Sequence, residues 1–378
     1  MKDIGIYIHL PFCKSKCYYC DFCSSPSLLD NAEKYISFVI KELDLYREEL
    51  KEYSVSSIYL GGGTPSLINA RYIYDILDHI HKNLNATNVK EITIEANPKT
   101  IDEEKLNIYK RAGINRISIG VQSMNDVMLK KIGRIHTVKD FLDTYKLIRK
   151  HGFNNVSFDL MFNLPEQTLD DSIRTLEIAV KLGPEHISYY SLKIEEGTPF
   201  YDKYVNRELV LPDEDIERDM YHKGIELLYK HGYLHYELSN FAKRGYESKH
   251  NLIYWKCKPY IGLGISAYSY FKNYRYGNTE NMNQYFSCIN SGGFPIVEKE
   301  FIDKNMEMAE YLILGLRLID GIDYDDFYNK FGINIKEVYG KTIDKFIQQD
   351  LLLEKGKNLR LTKKGLDLCN LIFMEILP

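Results

Sequence analysis

The sequence is poor in several features that would place it at once. One tryptophan stands among 378 residues, against 31 tyrosines, a balance that suits large amphipathic pockets. No run of 18 apolar residues occurs, so no membrane span is expected. Basic charge is not in excess: 49 Lys and Arg face 53 Asp and Glu, for a net charge of −4. That balance provides no global field for nucleic acid, and no nucleic-acid partner is expected. The opening MKDIGIYIHLPFC lacks the basic region, long apolar stretch and small-residue cleavage site of a secretory leader, so a cytoplasmic location is the expectation. No internal repeat and no low-complexity tract is found. The length allows about two domains, or one large barrel with an appendage.

What is present alternates. Short β-branched runs fall at 4–10, 57–62, 91–96, 116–122, 156–162 and 186–194. Between them lie segments of helical spacing at 32–53, 69–84, 103–112, 126–150 and 169–182. Strand and helix in turn, with short connections, predict parallel βα units. Six units are too few for a closed eight-fold barrel, so an open partial barrel or a doubly wound sheet is expected. Either one places function at the C-terminal ends of the strands. The loops there are polar and rich in Gly or Pro: GGGTPS, EANP, VQS, FNLPEQT and EEGTPF.

The second half reads differently. Residues 213–231 predict a helix. The aromatic and glycine-rich stretch from Tyr233 to Phe271 reads as strands and loops rather than helix. From about Asp303, helical segments at 304–319, 323–331 and 335–349 lead to a hairpin, LLLEKGKNLRLT, and a last helix at 363–376. Helices plus a hairpin suggest a winged-helix layout. Residues 303–378 hold 11 basic and 13 acidic side chains, a net of −2, which suits packing or docking better than DNA reading.

Four of the seven cysteines crowd into FCKSKCYYCDFC, residues 12–23. Three residues separate Cys13 from Cys17, two separate Cys17 from Cys20, and two more precede Cys23. Zinc sites pair cysteines with a second pair or with histidines, and Cys257, Cys288 and Cys369 stand alone. A bacterial ferredoxin run places two residues between each of its first cysteines, which does not match. A redox dithiol would leave Cys13 without a role. A [4Fe–4S] cluster held by three thiolates keeps one iron open for a small molecule, which suits a loop just after a first strand. Zinc or plain thiols stay as the competing reading.

C-x3-C-x2-C after a first strand resembles the radical S-adenosylmethionine (SAM) superfamily. YIHLPFCKSKCYYCDF, GGGTPS, TIEANP, RISIGVQS, IGRIHT, FDLMFNLPEQT and IEEGTPF, in that order, resemble its oxygen-independent coproporphyrinogen III oxidase-like family, from about Ile4 to the C-terminus. The resemblance implies a partial (β/α)6 barrel over 1–212, a mixed extension over 213–302 and a winged-helix-like domain over 303–378. Cys13, Cys17 and Cys20 would ligate the [4Fe–4S] cluster, with SAM on its open iron and Cys23 a bystander. Tyr7, Tyr19, Gly62, Gly63, Thr64, Glu95, Gln122, Arg134 and Asp159 match the family's SAM contacts. Members cleave SAM reductively, which implies an electron donor such as a flavodoxin or ferredoxin. GGGTP offers backbone free of side chains, although a tight turn alone would explain its glycines. Asp159 lies among apolar residues, where an unpaired carboxylate is costly.

The family divides in function. The oxidase decarboxylates coproporphyrinogen III; the HemW type binds haem and passes it to apo-haemoproteins. Asp21 follows Cys20 where the oxidase has a fourth cysteine. The oxidase carries several tens of residues ahead of its cluster, whereas 12 precede Cys13 here. HNLIYW, residues 250–255, matches an H-N-x-x-Y-W motif of the HemW type. These features favour haem binding, with His250 as the candidate ligand on a loop expected to be mobile. Cys257 is a weaker candidate, and His136, His186 and His235 are alternative imidazoles. Coproporphyrinogen oxidation is the alternative activity.

Overall fold

The computed structural model describes all 378 residues. Six parallel strands form its centre: β1 (Lys2–Leu10), β2 (Tyr53–Gly62), β3 (Glu91–Ala96), β4 (Arg116–Gln122), β5 (Val156–Phe162) and β6 (His186–Ser191). They pair in chain order, β1 to β6, and β1 does not meet β6, so the barrel is open as expected of six units. Helices α1 (Ala32–Leu45), α2 (Ala70–Asn83), α3 (Glu103–Arg111), α4 (Asp126–Lys131), α5 (Val138–Lys150) and α6 (Leu169–Leu182) connect them. Alternate strand residues such as Ile6, Ile8, Ile58, Leu60, Ile117, Ile119, Phe158 and Leu160 are fully buried beneath those helices.

Two expected helices are shorter than their spacing suggests. The run 32–53 is α-helical to Leu45, turns, and closes with a short 3-10 helix (Glu49–Glu52) before β2 begins at Tyr53. The run 126–150 breaks into α4 and α5 at Gly133, whose φ is 78°. The break turns Arg134 inward. α5 restarts with a capping box in which Thr137 and Asp140 satisfy each other's backbone amides.

Beyond α7 (Pro199–Val205) and α8 (Glu214–Lys230), the chain extends the same sheet at both edges. β7 (Leu234–Glu237) and β8 (Asn240–Ala242) form a hairpin whose β8 runs antiparallel to β6. β9 (Tyr260–Leu263) joins β1 in parallel. β10 (Tyr268–Phe271), β11 (Tyr274–Asn278) and, after α10 (Met282–Asn290), β12 (Ile296–Phe301) continue as an antiparallel meander. The open sheet has 12 strands. One hydrophobic core runs from Ile4 to Ile289. A second holds Met308 to Ile376, within α11 (Lys304–Gly315), α12 (Tyr324–Phe331), α13 (Ile335–Gln348), α14 (Lys363–Ile376) and a small sheet of β13 (Ile322–Asp323), β14 (Leu352–Lys355) and β15 (Asn358–Leu361).

The reading of 233–271 as strands and loops needs a correction. HNLIYW lies on a helix, α9 (Lys249–Trp255), capped by Ser248. Nor is its start a mobile loop. His250 is 1% exposed and packs against Gly5 of β1, where an added Cβ would come within 2.7 Å of Ile253. Its Nδ1 bonds Ser57 Oγ at 2.8 Å and its Nε2 bonds Tyr254 Oη at 2.8 Å. The Glu91 carboxylate accepts from the backbone N–H groups of Lys249 and His250. His186 repeats the arrangement, with Ser157 on Nδ1 and Tyr236 on Nε2. Burial, and then the charge of nearby Arg116, hold both imidazoles neutral, His250 down to about 3. α9 therefore plugs the N-terminal end of the barrel. His250→Ala leaves a void and strands the Ser57 and Tyr254 hydroxyls, at about 2–4 kcal/mol. Denaturant unfolding of the cluster-free chain should show that loss; an unchanged midpoint would leave His250 free for another role.

Candidate functional site

The cysteine loop is fixed to the barrel through its backbone. Gly63 N–H donates to Leu10 O at 2.9 Å, and Thr64 N–H donates to Phe12 O at 2.6 Å. A Cβ on Gly63 would lie 2.5 Å from Phe12 O, so this approach requires glycine. The loop is closed where Ser25 N–H donates to Pro11 O at 3.0 Å. Tyr18 is bonded by backbone to Ile132 at the end of α4, and Phe200 of α7 to Tyr18.

Cys13, Cys17 and Cys20 line one cavity of about 430 Å³ at the C-terminal ends of the strands. Every parallel strand after β1 contributes to its wall: Gly62, Glu95, Gln122, Asp159 and Tyr190 represent β2 to β6. Tyr19, Gly63, Thr64 and Arg134 complete the set that the sequence suggested. Tyr7 departs from it. Its hydroxyl bonds His9 Nδ1 at 3.0 Å, and the residue lines a different cavity, of about 1070 Å³. Cys23 and Cys257 line that second cavity too. The four clustered cysteines thus divide three to one.

The charged groups of the smaller cavity are held by neutral partners. Arg134 donates to Asn97 Oδ1 and to Gly120 O, each at 2.5 Å, and reaches Cys17 Sγ at 3.6 Å. Asn97 in turn donates to Thr64 Oγ1 at 2.7 Å. Glu95 accepts from Tyr59 Oη at 2.8 Å and Gly62 N–H at 3.2 Å, yet burial pushes its acid up to about 7. Asp159 accepts from Ser118 and is likewise raised by burial. Gln122 holds a φ of 67°, unusual for a non-glycine residue, and its Oε1 accepts from Tyr190. Asn240 Oδ1 is buried in this wall without a partner.

Asn97, Ser118, Tyr190 and Asn240 were not singled out from the sequence. EANP flagged the loop of Asn97. Asn240 comes from β8, whose place in the wall depends on tertiary pairing.

This donor set fits the two groups that the sequence suggested. Burial drives the Cys20 thiol up to about 11 and raises Cys13, so both keep their protons until a metal displaces them. No three Cys, His, Asp or Glu side chains converge on a single ion. A cubane takes each thiolate at a separate iron, so thiols spread along one wall suit it. Two carboxylates, an unpartnered amide oxygen and a glycine cradle suit a zwitterion with a sulfonium and an ammonium.

Comparison with known proteins identifies the family. Residues 7–179 match the Radical SAM superfamily and residues 302–368 the HemN C-terminal domain. A solved structure titled as Escherichia coli coproporphyrinogen III oxidase (HemN), a radical SAM enzyme, superposes with a TM-score of 0.85, covering 99% of this chain and 90% of that one. At 21% identity that likeness speaks for the fold alone. The class is therefore that of radical SAM proteins with a HemN-like architecture. Heme chaperone HemW of Lactococcus lactis is 36% identical over 100% of this chain and 98% of its own. Those of Bacillus subtilis and Escherichia coli are each 34% identical, over 97% of this chain and 97% and 96% of theirs. The chain belongs to the HemW family.

Glu95 generates a pH prediction. Its folded pKa lies above the unfolded value, so the protonated acid stabilises the fold, and that stability is lost as pH rises from about 4.5 through about 7. Glu95→Gln should raise the melting temperature of the ligand-free protein at pH 8 by a few degrees and change it less at pH 5. An equal shift at both pH values would remove Glu95 as the cause.

Proposed function

We propose that this chain is a haem chaperone of the radical SAM class, which binds haem and passes it to an apo-haemoprotein. The observation that carries this reading is the end-to-end similarity to relatives named heme chaperones. The three-thiol cavity accompanies it. The alternative, coproporphyrinogen III oxidation, draws on a likeness of fold to HemN. Asp21, where the oxidase pattern has a cysteine, weighs against it.

In this reading Cys13, Cys17 and Cys20 hold the [4Fe–4S] cluster and leave one iron for SAM. When bound, the cluster supplies an electron at low potential to the ligand on its open iron, and a partner such as a flavodoxin or ferredoxin replenishes it. The protein's own part is placement. Gly62 and Gly63 let the strand end pack against His9 and Phe12, which holds the cysteine loop beside the ligand. Glu95 and Asp159 face its positive charges with theirs. Arg134, held by Asn97 and Gly120, offers its guanidinium near the cluster thiols and could pair with the ligand's carboxylate. Thr64 and Gln122 are available to the remaining polar groups. Tyr19, packed against the small apolar cluster that includes Met161 and Leu164, shields the site from water. Tyr7 would reach SAM only through a shift from its bond to His9. His250 would become an axial haem ligand only if it lost Ser57 or Tyr254, and it is not assigned that role.

Two experiments test this. Anaerobically reconstituted protein should bind haem at about one per chain and donate it to an apo-haemoprotein. Formation of protoporphyrinogen above a cluster-free control would instead establish the oxidase. Iron and sulfide analysis of single variants tests the ligand set. Cys20→Ser should lose the cluster and SAM binding, whereas Cys23→Ser keeps both; iron below half the parent level in Cys23→Ser would contradict the division.

A further inference from the structure

The haem-chaperone reading names a cargo without saying where it sits, and the sequence pointed to His250, which faces away into the barrel plug. We propose that haem binds in the cavity of about 1070 Å³ between the cysteine loop, the sheet extension β9–β11 and the C-terminal helices α11 and α14. The inference rests on the haem reading and adds a place to it.

Size is the first argument. The cavity is more than twice the volume of either neighbour, at about 430 and 470 Å³. A tetrapyrrole is a large, flat, mostly apolar ligand, and such ligands are bound in apolar clefts of several hundred Å³ with few polar groups.

The wall has the matching chemistry. Tyr254 and Trp255 of α9, Tyr260 and Tyr268 of β9 and β10, and Phe373 of α14 present rings to it. Flat aromatic faces stack on a flat macrocycle at little conformational cost. Tyr254 and Tyr260 already stand edge to face, with centroids 4.7 Å apart. The motif HNLIYW is thereby divided: His250 stabilises the plug, while Tyr254 and Trp255 reach the cavity. Carboxylate side chains of a porphyrin would meet Lys258, whose side chain is 47% exposed, and Arg275, which now shares its charge with Glu310 at 2.6 Å. Met374, Leu377 and Leu371 are 73%, 51% and 53% exposed; the first two line the cavity, so α14 gives it an apolar lip open to solvent.

Position is the third argument. Asp21, Phe22 and Cys23 of the cysteine loop form one side, and Glu310, Ile313 and Met374 of the C-terminal domain the other. Phe22 lines this cavity, the three-thiol cavity and the third one alike. A haem placed here touches the loop that holds the cluster and the domain exposed to a recipient.

Titration with haem and with iron-free protoporphyrin IX, followed by absorbance, tests the site without depending on an axial bond. The double variant Tyr268→Ala/Met374→Ala alters side chains already 48% and 73% exposed, and should keep its fold by circular dichroism. It should bind both probes at least tenfold more weakly. Ile313→Trp fills the cavity instead and should lose them. Lys193→Ala, in the third cavity, should bind as the parent does. Parent-like affinity in both cavity variants, or loss in Lys193→Ala alone, would overturn the placement. Failure of the parent protein to bind haem would overturn the haem reading itself.

Discussion

Two short backbones run against each other at the top of the barrel, and the site depends on that contact. Residues 10–12 leave β1 beside residues 62–64 leaving β2, bonded at Gly63 and Thr64 with no room for a side chain at Gly63. Cys13 follows immediately. The cysteine loop is thus fixed over the strand ends before any metal arrives. Its thiols face the same cavity as Glu95, Gln122, Arg134 and Asp159 because the parallel register delivers those residues to one rim. A side chain at Gly63 would lift the loop, and the donors would no longer share a cavity.

Polarity inside the barrel changes character from one end to the other. At the N-terminal end the histidines and Glu91 have their partners, although Arg116 Nε and Thr93 Oγ1 are buried without one. His186 and His250 each hold a strand serine and a tyrosine, Glu91 caps α9, and Arg116 lies buried between. At the C-terminal end groups are left wanting. Burial raises the Glu95 and Asp159 acids, and Asn240 Oδ1 has no partner. Satisfied polar groups rigidify a fold, whereas unsatisfied ones destabilise it until a ligand completes them. Glu95, Asp159 and Asn240 all line the three-thiol cavity, where the proposed ligand would meet them.

Much of this was legible in the sequence. β3, β4 and β5 lie where their β-branched runs predicted, and the rim residues from GGGTPS to VSFDLMF share one cavity because strand ends follow from strand positions. What failed was of another kind. His250 looked like a ligand because it opens HNLIYW, which matches a motif of the HemW type, in a stretch that read as loop. Its partners Ser57 and Glu91 lie over 150 residues away. Tyr7, on the inward face of β1, bonds His9 two residues on and lines the larger cavity, a choice set by β9 pairing with β1. Asn240 was invisible for the same reason, since β8 reaches the rim only through β6. Local pattern located the elements; the edges added by the second half decided which residues face which cavity.

The central claim is that three thiolates serve a four-iron cluster and leave one iron for SAM. Electron paramagnetic resonance of the anaerobically reconstituted, reduced protein tests it most directly. The account predicts a [4Fe–4S]⁺ signal whose g-values shift when SAM is added, because SAM would bind at the iron that the three thiolates leave open. A signal that SAM leaves unchanged would mean that the fourth iron is closed, by Cys23 or another ligand, and would contradict the account.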